Sequence, residues 1–353
     1  ANTGIRAIKK KNRIPDNHSL QAYFNRRIAA IITGHGKRMA GWEQILQPGL
    51  PGTTVIQSYL GEKSLVESAR SGYQVVNSKA NELYIDLLFP ADFHYLYDPL
   101  PVDIPLNSKE KKLILGSEAT MWGELVSHEN IDSRIWPRTA AIAERLWSPA
   151  EIRDIPDLYR RLELISIQLE AHGLTHLKNQ DMMLRRLVRG RDTAPLKCLV
   201  DVVEPIILYD RPQWQECYTQ KLPQTRLVDA AVPDTRVARE FRNKIDSFLQ
   251  DRDPATQGDL QKILLLWKHN HLKLKPVIDR SPILAEIETL SAILSRTAEI
   301  GLKALEILAA DQRIDPAWIK DSIQQLEQAK LPRGDCRLRI VEALEKLLIA
   351  LNK

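Results

Sequence analysis

The stretch from Gly116 to Trp147, GSEATMWGELVSHENIDSRIWPRTAAIAERLW, contains the most informative pattern for predicting the fold. A short apolar run, Leu113–Leu115, comes just before it and predicts a buried strand that ends where the stretch begins. Glu118, Trp122 and Glu124 follow in a segment without helical or strand periodicity. The sequence therefore predicts a strand that leads into a loop with acidic and aromatic side chains.

A helix is predicted from Ile131 onwards, because apolar residues recur at three- and four-residue steps and Pro137 lies early in the run. A β/α barrel presents its site through such loops, at the carboxyl ends of its strands. An indole ring can stack on the C–H face of a pyranose, and a carboxylate can accept hydrogen bonds from two sugar hydroxyls. The loop therefore favours a sugar ligand.

The chain before this stretch alternates between short apolar strands and helices. Residues 1–15 are polar and predicted to be irregular, and Asp16 or Asn17 is expected to cap a helix that Gly34 to Gly36 end. The predicted strands are residues 38–43, 54–59, 74–77 and 113–117, with a helix at 62–71. This alternation predicts a parallel sheet, either open and doubly wound or closed as a barrel. Four strands make half of an eight-stranded barrel.

The runs EATMWGE (118–124) and SRIWPRTAAIAERLWS (133–148) resemble the final barrel strand and helix of family 20 glycoside hydrolases, the β-N-acetylhexosaminidases. Three earlier segments resemble preceding parts of that barrel. They are RIPDNHSLQAYFNRRIAAIITGHGKRMAGWEQIL (13–46) for helix four and strand five, GTTVIQSYLGE (52–62) for strand six, and YQVVNSKANELYIDLLFPADFHYLYDPLP (73–101) for strand seven and its long loop. The expected fold class is α/β, the second half of a (β/α)8 TIM-type barrel.

Two domains are expected, the half-barrel over residues 1–175 and an all-α domain over residues 176–353. Six amphipathic helices are predicted in the second domain, at residues 196–203, 235–249, 256–272, 283–308, 316–329 and 336–351, with prolines between the runs or at their starts. This helical extension resembles the one that many bacterial members of the family carry.

The resemblance implies hydrolysis of terminal N-acetylhexosamines with retention, in which the substrate's own acetamido oxygen attacks the anomeric carbon. In the family, a Gly-Gly-Asp-Glu motif supplies the Asp that stabilises the acetamido nitrogen and the Glu that acts as acid and base. That motif does not occur in this sequence. The chain is thus expected to be a fragment of a chitin- or glycan-degrading hydrolase of carbohydrate metabolism. A separate protein with the first barrel half is a possible partner. Alternatives are a non-catalytic sugar-binding or helical interaction protein, and an inactive gene remnant.

Tyr84 and Asp86 match family residues that bind the acetamido oxygen and the sugar hydroxyls, respectively. An extended backbone would point both side chains the same way. The alternative is a surface tyrosine followed by a capping aspartate, which the residues alone favour.

By the same resemblance, Trp42 lines the pocket for the acetamido methyl group, although a core aromatic at a strand end is an alternative. Tyr59 stands where the family usually has another pocket tryptophan, so the pocket is expected to be altered. Trp122 matches the platform beneath the sugar ring, and Glu124 matches the carboxylate that binds hydroxyls at the non-reducing end.

Other polar residues are expected to support the fold. Glu43 is interpreted as a loop carboxylate behind the pocket, and Glu118 as a structural hydrogen-bonding group. Trp136, Arg138, Glu144, Arg145 and Trp147 are expected to pack or to bridge elements. The histidines lack metal-ligand spacing, so no metal is expected, and no cofactor is implied.

The net charge is +5 and the isoelectric point about 9, but the basic residues are mixed with acidic ones along the helices, which predicts a solvated surface rather than a nucleic-acid site. No apolar run is long enough to predict a membrane span. The N-terminal residues lack the apolar stretch of a signal peptide. The family resemblance implies a periplasmic or secreted location. Cys198, Cys217 and Cys336 are expected to be buried or free thiols.

Overall fold

A computed structural model describes residues 2–211, 224–310 and 315–351, so Cys217 lies outside the described residues. In chain order the elements are α1 (Thr3–Lys11), α2 (Asn17–Gly34), β1 (Ala40–Trp42), β2 (Val55–Ser58), α3 (Glu62–Arg70), β3 (Gln74–Asn77), α4 (Ala80–Leu83), α5 (Ala91–Leu96), α6 (Ser108–Lys111), β4 (Ile114–Ser117), α7 (Ile131–Ile135), α8 (Arg138–Trp147), α9 (Ile155–Ala171), α10 (Lys178–Leu187), α11 (Ala194–Val200), β5 (Val203–Pro205), α12 (Leu227–Ala230), α13 (Arg236–Asp251), α14 (Pro254–Ile278), α15 (Glu288–Ala310), α16 (Pro316–Ala329), β6 (Cys336–Leu338) and α17 (Val341–Leu351).

The chain forms two compact units. The first comprises residues up to 85, 92–121 and 138–158, and the second comprises 86–91, 122–137 and the residues from 159 onwards.

The first unit contains a four-stranded parallel sheet in the order β1-β2-β3-β4. Ala40 of β1 pairs with Val55 of β2, and Val55 pairs with Gln74 of β3. The next residue of β3, Val75, pairs with Ile114 of β4. The predicted strands and their parallel arrangement are confirmed, and only their limits differ. Helix α3 connects β2 to β3, as a crossover between parallel strands requires.

The two faces of this sheet differ in burial. On one face, Val75 and Ile114 pack in a small core with apolar side chains of α3 and with Ile104 and Leu106. On the other face, Val55 and Val76 are only half-buried, and Leu115 of β4 is 52% exposed at a register irregularity. In the described part of the chain, β1 and β4 each pair with a single neighbouring strand. One face and two edges of the sheet are therefore incompletely covered.

The N-terminal segment is helical, so the expectation of an irregular segment was wrong. The side chain of Asn2 accepts hydrogen bonds from the N–H groups of Gly4 (2.9 Å) and Ile5 (3.3 Å), which caps α1. No residue of α1 is buried. Capping and helix-forming residues stabilise it without an apolar face for periodicity to reveal.

The segment from Ile131 to Trp147 forms two helices rather than the single predicted one. Trp136 has an extended backbone (φ −104°, ψ 148°) between α7 and α8. The residue before a proline is disfavoured in the helical conformation, because the proline ring clashes with its backbone. Pro137 therefore separates two helices instead of lying inside one.

The second unit is mainly helical, with a core that includes Phe241 and Trp267 in edge-to-face contact at 4.7 Å. It also contains an antiparallel pair, β5 and β6, in which Val203 is opposite Leu338 and Pro205 opposite Cys336. The prediction of a helical C-terminal region is confirmed, but this strand pair is an exception to it, and the predictions of a helix beginning at Cys336 and of a helix ending at Val203 were wrong. Cys336 and Leu338 alternate with the half-buried Arg337, which is a strand pattern too short to outweigh the helical run after it.

Helix α14 also departs from the prediction, because it continues past Pro276 to Ile278. The proline lies in the last turn, where Leu274 and Ile278 are both buried. In the residues that the structure describes, no helix combines the length and the apolar character needed to cross a bilayer.

Candidate functional site

Three predicted site residues lie at or just after the carboxyl ends of neighbouring strands in the first unit. Trp42 is the last residue of β1, Tyr59 follows β2, and Tyr84 follows β3 by way of the short helix α4. Because the strands are parallel, these ends meet at one edge of the sheet, where β/α folds place their sites.

Trp42 and Tyr59 are in direct contact. Their ring centroids are 5.3 Å apart and their planes are nearly perpendicular, at 83°. This edge-to-face geometry is one that aromatic pairs prefer. Gln44 donates a hydrogen bond from Nε2 to the Tyr59 hydroxyl at 2.9 Å. The tyrosine hydroxyl thus has a specific partner and a defined position beside the indole.

Glu43 links the ends of the same two strands. It is 8% exposed, and its carboxylate accepts hydrogen bonds from the backbone N–H groups of Tyr59 (2.7 Å) and Leu60 (2.9 Å). The prediction that Glu43 is a supporting carboxylate is therefore confirmed, and the structure shows which two backbone amides it binds. Its pairing with these two amides was not visible in the sequence, because the hydrogen bonds span sixteen and seventeen residues.

The backbone at Tyr84 is held against the segment that follows β4. Tyr84 forms an isolated parallel bridge with Thr120, whose N–H donates to the Leu83 carbonyl at 2.9 Å. The buried Arg138 donates from Nη2 to the Ile85 carbonyl at 2.8 Å. Tyr84 itself is half-buried. These contacts continue the parallel alignment beyond the last paired residues of β3 and β4. They therefore fix the backbone position of Tyr84.

Glu118 binds neighbouring side chains at the end of β4. It accepts hydrogen bonds from Ser78 Oγ at 2.8 Å and from Gln57 Nε2. The prediction of a structural hydrogen-bonding role is confirmed. The contacts join the ends of β2, β3 and β4.

The other predicted site residues, Asp86, Trp122 and Glu124, belong to the second unit. Asp86 is half-buried in a 3-10 turn, Ile85–Leu87, so the backbone is not extended from Tyr84 to Asp86 as the alternation argument required. Trp122 is 39% exposed and Glu124 is exposed. Among the predicted residues, the structure thus brings Trp42 and Tyr59 into contact.

The loop that carries Trp122 and Glu124 continues into residues anchored by the helical region. Arg134 is buried and donates hydrogen bonds to the carbonyl oxygens of Val228 (3.0 Å) and Asp229 (3.2 Å), and also to that of Ala231. Burial lowers the pKa of Arg134 to about 10. The guanidinium therefore stays charged at neutral pH, and its hydrogen bonds satisfy carbonyl groups at the carboxyl-terminal end of α12.

Two further contacts anchor the same loop. Asp132 accepts hydrogen bonds from the Thr175 backbone N–H (2.7 Å) and hydroxyl (2.9 Å). Glu129 forms a bidentate pair with Arg186 at 2.7 Å, which lowers the pKa of Glu129. The motif identified Trp122 and Glu124, but not these anchors, whose partners lie far along the chain.

The residues in and beside α8 that were expected to pack or to bridge elements differ from one another in burial. Arg138 and Arg145 are buried, and Glu144 accepts a hydrogen bond from Tyr95 at 2.9 Å. Trp147 is 92% exposed, so the expectation that it packs was wrong. Within the described ranges, no group of three or more His, Cys, Asp or Glu residues is arranged to hold a metal ion.

Comparison with known proteins shows a similarity to glycoside hydrolases. Residues 1–150 match the family model for the catalytic domain of glycosyl hydrolase family 20. Residues 1–150 are therefore similar to the catalytic domain of that family, as the motifs predicted.

The individual relatives are hexosaminidases. The β-hexosaminidase of Porphyromonas gingivalis is 30% identical over 183 residues, which cover 47% of this chain and 23% of that protein. The β-hexosaminidase subunit beta of Sus scrofa is 36% identical over 156 residues, 42% of this chain and 29% of that protein. The chain thus spans less than a third of these two relatives.

A solved structure matches over both regions. The chitobiase of Flavobacterium johnsoniae aligns with a TM-score of 0.89 and 34% identity, over 98% of this chain and 53% of that chain. The helical region after the catalytic domain therefore has a counterpart in that protein. The chain spans about half of the chitobiase.

Proposed function

We propose that residues 1–175 are the second half of a family 20 barrel, and that they provide the substrate-binding side of a β-N-acetylhexosaminidase site. The contact between Trp42 and Tyr59 at the carboxyl edge of the parallel sheet carries this proposal. It forms an aromatic wall where the family resemblance requires the acetamido pocket.

The burial of the sheet supports the barrel half. Purely parallel sheets are normally covered on both faces. Here only one face packs against a helix, and the outer strands β1 and β4 each keep an edge without a partner in the described residues. Four further strands would cover the open face with the opposite wall of a barrel and pair both edges.

Each predicted residue has one role in the proposed reaction. Tyr84 holds the acetamido oxygen for attack on the anomeric carbon, and Trp42 and Tyr59 enclose the acetamido methyl group. Trp122 stacks beneath the ring, while Asp86 and Glu124 bind its hydroxyls. Holding the internal nucleophile in an attack geometry can lower a barrier by several kcal/mol.

The general acid of the proposed reaction comes from outside this sequence, because the sequence contains no Gly-Gly-Asp-Glu motif. A positioned general acid typically contributes about 10²–10⁴-fold. The 353-residue chain alone is therefore expected not to hydrolyse a chromogenic N-acetylglucosaminide. Turnover by the purified chain that Glu124→Gln or Asp86→Asn abolishes would contradict this assignment.

The decisive experiment supplies the first four strands of a family 20 barrel, including the Asp-Glu pair, as a co-expressed fragment. The proposal expects a stable pair that hydrolyses N-acetylglucosaminides. Tyr84→Phe should lower kcat more than it raises KM, because the acetamido group is held during attack. Tyr23→Phe, in α2, is the matched control and should leave both constants unchanged. A stable but inactive pair would favour a purely binding or degenerate protein.

A further inference from the structure

A groove of about 580 Å³ lies between α15 and α16 in the second unit. Thr297, Ile300 and Ala329 line it and are buried, so they form its floor. Its volume is within the range of about 300–1,000 Å³ that is typical of small-molecule sites. All its lining residues lie within residues 285–333, away from the barrel strands in the sequence.

Small side chains keep the groove open. Side chains of two packed helices normally interdigitate. At this contact the lining includes the small residues Ala292, Thr297 and Ala329 instead of larger ones. Helices in protein interiors normally leave few voids larger than a water molecule. A groove of this size between two long helices is therefore a distinct feature of the surface.

The four charged groups that line the groove, Glu288, Asp321, Arg296 and Arg333, differ in the partners that they already have. Glu288 pairs at 3.3 Å with Lys275, which also pairs with Asp279, and Asp321 accepts a hydrogen bond from the neutral amide of Gln325 at 2.6 Å. Arg296 and Arg333 form no ion pair with any residue that the structure describes. These two guanidiniums are therefore available to a ligand, and a guanidinium can bind a carboxylate through two parallel hydrogen bonds.

Three amides complete the lining. Gln324, Gln325 and Gln328 follow one another along the exposed side of α16 that faces the groove. A carboxamide offers both donors and an acceptor, which suits ligand hydroxyl or amide groups, although Gln325 already donates one hydrogen bond to Asp321. The buried Ile300 adds an apolar surface below them.

We propose that this groove binds a small carboxylate-bearing polar molecule, with Arg296 and Arg333 on the carboxylate and the glutamine amides on its hydroxyl or amide groups. The site is separate from the proposed hydrolase site and does not depend on it. An acidic monosaccharide and a peptide ending in a free carboxylate share this chemistry.

Isothermal titration calorimetry on the 353-residue chain tests the proposal with two matched pairs of probes. One pair is D-glucuronate and its methyl ester, and the other is N-acetyl-alanyl-alanine and its amide. At least one free acid should bind, at least tenfold more tightly than its neutral partner, and its binding should weaken as salt is added. Whichever acid binds identifies the source of the carboxylate.

Arg296→Gln and Arg333→Gln should each weaken binding about tenfold, since each removes a charge-assisted hydrogen bond. Arg242→Gln, on α13, is the matched control and should not change binding. Circular dichroism verifies that each variant is folded. The proposal is overturned if neither acid binds at millimolar concentration, if the neutral partners bind equally well, or if folded Arg296→Gln and Arg333→Gln proteins bind like the parent chain.

Discussion

Glu43 shows how one residue can organise the end of a sheet. Its buried carboxylate accepts the N–H groups of Tyr59 and Leu60, and its neighbours Trp42 and Gln44 contact the ring and the hydroxyl of Tyr59. Three consecutive residues therefore act on the same short segment after β2. The position of Tyr59, and with it the aromatic wall, depends on this cluster.

Replacing Glu43 with glutamine is expected to lower the free energy of unfolding by about 2–3 kcal/mol. The new amide group cannot accept a hydrogen bond where the second oxygen did, so a buried N–H loses its partner. Urea unfolding measures the change, with Glu67→Gln on the exposed face of α3 as control. A loss below about 0.5 kcal/mol, the range of ordinary surface substitutions, would contradict the role of Glu43.

The two described cysteines are free, and burial controls their chemistry. Burial raises the pKa of Cys198 to about 11 and that of Cys336 to about 12. Because the thiolate is the reactive species, neither should react with an aromatic disulfide reagent in the native protein at pH 8. The measurement uses a Cys217→Ser background, in which both thiols should react only after denaturation. Fast labelling of the native protein would refute the prediction.

At the scale of elements, a buried histidine connects α9 to the segment before α10. His176 is buried, and its Nε2 lies 2.5 Å from Ser166 Oγ. Burial lowers the pKa of His176 below its ordinary value of 6.5. The folded state therefore favours neutral imidazole, whereas the unfolded chain takes up a proton near the ordinary pKa.

The free energy of unfolding should consequently fall as the pH drops below about 6.5, because the unfolded state then binds more protons than the folded state. In the His176→Gln variant, the free energy of unfolding should no longer show the decline that protonation of His176 causes. Unfolding by urea at pH 7.5, 6.5 and 5.5 measures it. His172→Gln, at an exposed position in the same connection, should keep the decline. Equal pH dependence in both variants would exclude His176 as its source.

At the scale of the molecule, the two units differ in how completely their elements are covered. The sheet of the first unit has two outer strands and a half-exposed face, whereas the second unit has an extensive apolar core with many fully buried side chains. Unpaired strand edges favour association with other strands. The chain alone is therefore expected to form dimers or aggregates through the first unit unless the first four strands of the proposed barrel are supplied.

Hydrogen exchange should show the same difference in the isolated chain. Amides in β1 to β4 should exchange faster than those in the buried helices α13, α14 and α15, because local opening needs less free energy where fewer apolar contacts break. Adding the fragment with the first four strands should slow exchange in the sheet. Strand amides as protected as those of the helices, in a demonstrated monomer, would contradict this expectation.

The four parallel strands, α2, α3 and the resemblance of residues 1–150 to family 20 could be predicted from the sequence. Local signals were sufficient there: apolar runs of strand length, the Asp16 cap, glycines after helices, and the EATMWGE motif. The same signals failed at α1, which has no apolar face, and at β6, where three alternating residues precede a longer helical run. Periodicity can report an element only when the element is long and has one buried side.

Only the tertiary structure decided which side chains meet. It paired Glu43 with the amides after β2, placed Arg134 on the carbonyls around α12, joined β5 to β6, and left Trp147 exposed. The hydrogen-bonded partners in these examples are separated by many residues in the chain. The exposure of Trp147 depends on which elements pack beside α8. A residue's local pattern does not specify such neighbours, because they are selected by the packing of whole elements against one another.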